Sequence, residues 1–164
     1  MKGLTILDLQ ECLCREIEAV VKDMLLENPL GQQIPLRAFA QELPIEQIKG
    51  KFVEEDKDTA DPFPYCVVRV EDGSMGRIST VNTNLFFGLF YDNQDRQGHA
   101  RILTLIQRVY HRFAINPVLG NRFVQDGKIE WAINGAGEDM HPYYFGGMSV
   151  SWKIPGVERE DEFA

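Results

Sequence analysis

No apolar run in this chain approaches the roughly 20 residues needed to cross a bilayer as a helix. Asp8, Glu11 and Arg15 interrupt the first apolar residues, which is not the pattern of a secretory leader. Both absences point to a protein made and kept in a cytoplasm. Cysteine is scarce as well. Cys12, Cys14 and Cys66 cannot all pair, and a helix points Cys12 and Cys14 in different directions. Buried, reduced thiols are the expected state, because a zinc site needs C-x-x-C spacing with further Cys or His close by. Basic residues are short too: 17 Lys and Arg face 25 Asp and Glu, for a net charge of −8. Gripping nucleic acid requires clustered cations, so a sequence-reading nucleic-acid protein is disfavoured.

The usual marks of a reaction centre are equally thin. His99, His111 and His141 fit no ligand spacing such as H-E-x-x-H. None of Ser74, Ser79, Ser149 or Ser151 sits in a G-x-S-x-G elbow. Residues 92–98 faintly suggest a calcium loop, but Gln94 and Arg96 hold ligand positions and no Glu closes it, so an ordinary turn into a helix is expected. Gly135 and Gly137 lack the strand, helix and third glycine of a dinucleotide fingerprint. The acidic run from Glu54 to Asp58 could draw a cation or a basic partner, though a solvated loop is its ordinary reading. The expectation is no catalytic residue, no metal and no cofactor, and hence not an enzyme.

What is present is the patterning of one folded unit. The 164 residues, 44% hydrophobic and 26% charged, suit a single domain that buries roughly 70% of its unfolded surface. Residues 1–156 are read as that domain and the charged residues 157–164 as a disordered tail. Over 8–27, Leu9, Leu13, Ile17, Val20, Val21 and Met24 recur at helical steps. Asp8 with Glu11 resembles a capping box, and Asn28-Pro29 is the expected stop. Residues 34–45 read as an edge strand or a short helix, with the strand preferred, and 49–61 as a solvated loop.

Residues 65–70 predict a central, buried strand closed by Glu71-Asp72-Gly73. After a turn over 73–76, a long strand runs over 78–91. It points Leu85, Phe87, Leu89 and Tyr91 one way and Phe86, Gly88 and Phe90 the other. Gly88 marks a bulge or a close backbone approach. A second helix follows Gly98, with Ile102, Leu105, Ile106, Val109 and Phe113 as its stripe and Arg101, Arg108 and Arg112 facing away, until Asn116-Pro117. Residues 122–133 predict a hairpin about Asp126-Gly127. In the last strand Met148, Val150, Trp152 and Ile154 alternate with Ser149, Ser151 and Lys153, one face buried and one wet. The expected fold is α+β, a mainly antiparallel β-sheet with an N-terminal helix and a second helix packed on it. Two helices cover only part of a broad sheet, so some of Phe86, Phe87, Phe90, Tyr143, Tyr144 and Phe145 should be covered by a neighbouring subunit.

The order of segments resembles the tail terminator, or tail completion, proteins of long-tailed bacteriophages and prophages. The likeness runs over 63–155: the Phe63-Pro64-Tyr65 strand into the Glu71-Asp72-Gly73 turn, the strand over 81–91 into the helix at Gly98, the helix end at Asn116-Pro117, Gly127 to Trp131, and Pro142-Tyr143-Tyr144-Phe145-Gly146-Gly147 before Trp152. The resemblance implies a minor tail protein without enzymatic activity. It forms a homo-oligomeric ring, typically a homohexamer, that caps the tail tube protein, ends its polymerisation and offers a head-joining surface to the connector or neck protein. Six copies of a −8 chain would bring −48 formal charges, so that DNA passes without specific binding. The location implied is the virion tail, assembled in the host cytoplasm.

Two loops, 71–77 and 134–143, are the candidate partner contacts, being glycine-bearing connections held by strands. With the aromatic sheet face they give the candidate assembly residues Glu71, Asp72, Ser74, Met75, Arg77, Phe86, Phe90, Glu138, Asp139 and Tyr143. One alternative is a head completion or neck connector protein. Another is a small ligand-binding or enzymatic domain using the acidic loop with His99 or His141.

Overall fold

Thr5, not Asp8, opens the first helix. The computed structural model describes residues 5–44, 62–134 and 140–155. In it α1 runs Ile6–Val20. The Thr5 hydroxyl accepts from the Asp8 N–H at 3.0 Å, and the Thr5 N–H donates to the Asp8 carboxylate at 3.2 Å, a reciprocal capping box one turn earlier than expected. Leu9, Leu13 and Ile17 are fully buried along the predicted stripe. The helix stops at Val20, before Asn28-Pro29, because Val21 leaves helical geometry and the chain turns to bring Leu26 into the core. Leu26–Glu27 (β1) and Gln33–Ile34 (β2) then form a two-rung antiparallel ladder. Asn28 shapes the turn between them, its side-chain oxygen accepting from the Leu30 and Gln32 N–H groups.

The main sheet has six strands: β3 (Arg37–Ala40), β4 (Tyr65–Ser74), β5 (Ile78–Phe90), β6 (Val118–Leu119), β7 (Phe123–Ile133) and β8 (Tyr143–Pro155). Their spatial order is β3-β4-β5-β8-β7-β6. β3 is the predicted edge strand and lies parallel to β4, while the other pairings are antiparallel. The protein is thus α+β with a mainly antiparallel sheet. β4 does not end at Glu71-Asp72-Gly73 but runs on to Ser74, with a bulge between Val70 and Asp72. It stands second from the edge, and the central pair is β5 with β8.

The expected hairpin at Asp126-Gly127 is absent. β7 runs straight through these residues beside β8, with an irregularity between Asp126 and Glu130 that absorbs extra residues. Gly127 has φ +78°, so the positive-φ preference of Asp-Gly is spent on a bulge and not on a reversal. The reversal comes earlier, between β6 and β7, where Asn121 and Gly120 take positive φ.

The second helix, α2, runs His99–Ile115. Its five predicted stripe residues, Ile102, Leu105, Ile106, Val109 and Phe113, are all buried. Before it, residues 92–98 form the ordinary turn expected: Asn93 accepts from the Asp95 N–H and Asp95 from the Gln97 N–H. Arg108 and Arg112 do not simply face solvent. Arg112 reaches Glu16 on α1 at 2.8 Å, Arg108 pairs with Asp23 just after the end of α1, and of the three only Arg101 stands exposed.

Both helices lie on one face of the sheet, α1 over β3 and β4 and α2 over β5, β7 and β8. Between them and the sheet sits the core, with Trp152, Phe87, Phe113 and Phe123 as its largest fully buried side chains. Each such side chain contributes about 1.5–3 kcal/mol on leaving water. Gly146 of β8 lets α2 approach, since a Cβ there would overlap Ile102. Cys66 is buried while Cys12 and Cys14 are half-buried, and all three are free thiols. Loop 49–61, the acidic run 54–58 and tail 157–164 lie outside the described residues.

Candidate functional site

Residue alternation places a second set of side chains on the face that the helices leave open. Along β4 these are Tyr65, Val67 and Arg69. On β5 they are Asn82, Asn84, Phe86 and Phe90, and on β8 Tyr143, Phe145, Ser149 and Ser151. Register then sorts them into two zones. Tyr65 opposite Gly88, Gly88 opposite Phe145, and Phe90 opposite Tyr143 build an aromatic zone. Phe63 joins it with ring centroids 5.0 Å from Tyr65 and 4.9 Å from Tyr143, and Phe90 meets Tyr143 edge to face at 5.6 Å. Gly88 marks a close approach and not a bulge, because the Tyr65 ring lies where its Cβ would be.

The other zone is polar. The Ser149 hydroxyl donates to Asn84 at 2.7 Å, Ser151 to Asn82 at 2.6 Å, and the Asn82 amide to the Asp72 carboxylate at 2.6 Å. Ser74 and Thr80 are bonded hydroxyl to hydroxyl across the hairpin at 2.7 Å. The Ser149 and Ser151 bonds tie β8 to β5, and the other two stiffen the β4–β5 hairpin, whose residues 71–78 are all exposed.

The expected assembly residues divide accordingly. Glu71, Asp72, Ser74, Met75 and Arg77 share the hairpin tip, where Met75 is 82% exposed. Phe86 stands mid-face and is 41% exposed, although Phe87 beside it in sequence is buried among the core residues. Phe90 and Tyr143 are half-buried against one another. Glu138 and Asp139 lie outside the described residues, as does Gly135-Ala-Gly137.

Sequence reasoning passed over three contributors. Arg69 stacks over Phe86 with its guanidinium 5.8 Å from the ring centroid, so the aromatic face carries a cation. Phe63 anchors the aromatic zone; the alternation Phe63, Tyr65, Val67 was the signal available for it. Trp131 of β7 is 58% exposed although its register with Met148 sets it on the helix-side face, and at the sheet's rim it lines, with Phe86, Ile133, Phe145 and Met148, an open concavity of about 490 Å³.

Histidine sits elsewhere. His141 Nδ1 is 2.8 Å from the Tyr144 hydroxyl, with Asp92 3.7 Å from its other nitrogen, and His99 begins α2. Among the described residues no group of three or more His, Cys, Asp or Glu is placed to hold a metal ion, and no helix is long and apolar enough to cross a membrane.

Two thiols are held neutral. Burial, helped by Glu18 and Glu11, pushes the Cys14 thiol up to about 11, and burial raises Cys66 well above the ordinary thiol range. Neither is an activated nucleophile, which would require the opposite shift. No protein-family model matches the chain, and comparison with curated proteins found no match.

Proposed function

We propose that this chain is a virion structural protein, a phage or prophage tail terminator that closes into a ring, typically of six copies, on the end of the tail tube. The observation that carries this reading is the segregation of the sheet's two faces. The helices cover the core of one face, while the other keeps Phe86, Arg69 and the aromatic zone in reach of a neighbour, and residues 71–78 of the hairpin tip are all exposed. Exposed aromatic and arginine side chains on a rigid sheet are the usual anchors of protein interfaces. The order of segments shared with tail terminators adds the identity of the neighbours.

In this mechanism one ring face complements the last ring of tube subunits and removes the surface to which another would add. Growth ends by occlusion, and the opposite face receives the head connector. No bond is made or broken. A net charge of −8 on each copy disfavours DNA binding as DNA moves through.

The test uses virions. Particles lacking this gene product should carry tails of uncontrolled length that fail to join capsids. Tails of normal, uniform length on joined capsids overturn the proposal. Sedimentation with purified tail-tube subunits separates this reading from a neck connector, since only a terminator caps or shortens tubes.

A further inference from the structure

The exposed edges of the six-stranded sheet are treated differently. On β3 the outward Ala38 N–H donates to the Glu18 carboxylate at 2.9 Å, and the Ala40 carbonyl accepts from the Glu42 N–H at 2.8 Å. Where β3 ends, the Gln41 side-chain amide takes its place. It accepts from the Val70 N–H at 3.0 Å and donates to the Val70 carbonyl at 3.1 Å, as a strand would. On the far side, β6 and the Pro117 carbonyl satisfy β7 as far as Gln125. These are the devices by which proteins keep sheet edges from pairing with other chains.

Two stretches have no such guard among the described residues. The Asn134 N–H bonds to the Phe145 carbonyl, so strand alternation turns Ala132 and Glu130 toward β8 and leaves the N–H and C=O groups of Trp131 and Ile133 pointing outward. Beyond the Val70/Asp72 bulge, Asp72 and Ser74 pair with Asn82 and Thr80 on β5, which turns Gly73 outward.

We propose that the free edge of β7 at residues 131–133 takes the free arm of β4, residues 71–74, from a second copy of this chain, so that the sheet runs on from protomer to protomer. The inference rests on the ring reading for its symmetry, and the strand directions agree with it. β4 to β5, β5 to β8 and β8 to β7 are each antiparallel, so β7 runs opposite to β4. Rotation about a ring axis preserves the component of strand direction along that axis, so in a ring whose strands run close to its axis β4 of the next copy arrives antiparallel to β7. The join is heterologous, as a ring requires.

Outward residues pair with outward residues, so Gly73 takes Trp131 or Ile133 as its partner, and we assign Trp131, as the larger side chain, to the bare glycine. Both lie on the helix-side face of the sheet, since Gly73 faces Val81 and Trp131 faces Met148 in register, and Val81 and Met148 are buried. The same match of a large ring with a bare glycine already occurs inside the protomer, where Tyr65 lies over Gly88.

The experiment compares amide hydrogen exchange in the isolated chain and in the assembled ring. Strand addition should slow the Trp131, Ile133 and Gly73 amides together by at least about tenfold. A ring in which these amides exchange as in the isolated chain overturns the strand join and leaves the ring reading standing. Slowing at Trp131 and Ile133 without Gly73 means a symmetric β7 pairing and also overturns the join. If no ring forms on tail-tube ends, both readings fail. Trp131→Pro removes one outward N–H at an edge position that tolerates proline. It should fold and not assemble, whereas Trp131→Phe keeps the N–H and the ring.

Discussion

The indole N–H of Trp152 donates to the Thr83 hydroxyl at 3.1 Å, and that hydroxyl donates in turn to the Val150 carbonyl at 2.8 Å. Both side chains are buried, so one threonine satisfies the largest residue of the core as well as itself. Thr83→Val keeps the shape and strands the indole N–H without a partner. The expected loss is about 1–3 kcal/mol. Urea unfolding followed by Trp fluorescence measures it, and Thr83→Ser should restore most of the difference.

Arg112 ties three segments together. It bonds to Glu16 on α1 and to the carbonyls of Asn116 and Val118 after α2. Arg112→Ala releases all three contacts and leaves a half-buried carboxylate without its cation, at an expected cost of about 2 kcal/mol. Thermal melting of Arg112→Ala beside Arg108→Ala should show the larger drop for Arg112, because the Asp23 partner of Arg108 lies in open solvent, where an ion pair contributes little.

Cys14 gives a pH signature. Its folded value of about 11 lies above the ordinary thiol value of 9.0, so folding favours the neutral thiol. The stabilisation is complete below pH 9 and is lost as pH rises from there through about 11. At pH 8 only about one Cys14 thiol in a thousand is ionised, so iodoacetamide should label it far more slowly in the folded chain than in urea. Peptide mass mapping over time reads the difference.

Phe86 should matter to assembly and hardly at all to folding. It is exposed and lies outside the helix-covered core, so Phe86→Ser is expected to shift stability by no more than about 0.5 kcal/mol. Ring formation on tail-tube ends, followed by sedimentation, should fall severalfold. Unchanged assembly would remove Phe86 from the interface.

Where periodicity was strong, the sequence was a sufficient guide. The stripe of α2, the alternation of β8 from Met148 to Ile154, and Leu9, Leu13, Ile17 and Val21 of the first stripe are buried as expected, whereas Val20 and Met24 are only half-buried. Its failures have a common physical cause. Asp126-Gly127 satisfies the local chemistry of a tight turn, but β8 offers β7 a continuous ladder on both sides of that dipeptide, and the long-range pairing prevails. The end of α1 was equally invisible, because it is set by the need to seat Leu26 in the core. Phe86 and Phe87 are identical as residue types, and only strand parity separates an exposed ring on the open face from a core residue. The guards on the edges could not be read at all, since Glu18 with Ala38 and Gln41 with Val70 are contacts between residues 20 and 29 positions apart.

The Gln41 amide that closes off Val70 is a single side chain serving as a doorstop at the boundary between a finished rim and an unfinished one. Each rim is thus shut along one length and bare along another, with the bare lengths at opposite ends of the sheet, so the two rims are not interchangeable. Were the proposed join made, the tilt at each joint would decide how many members stand in line before the last one meets the first.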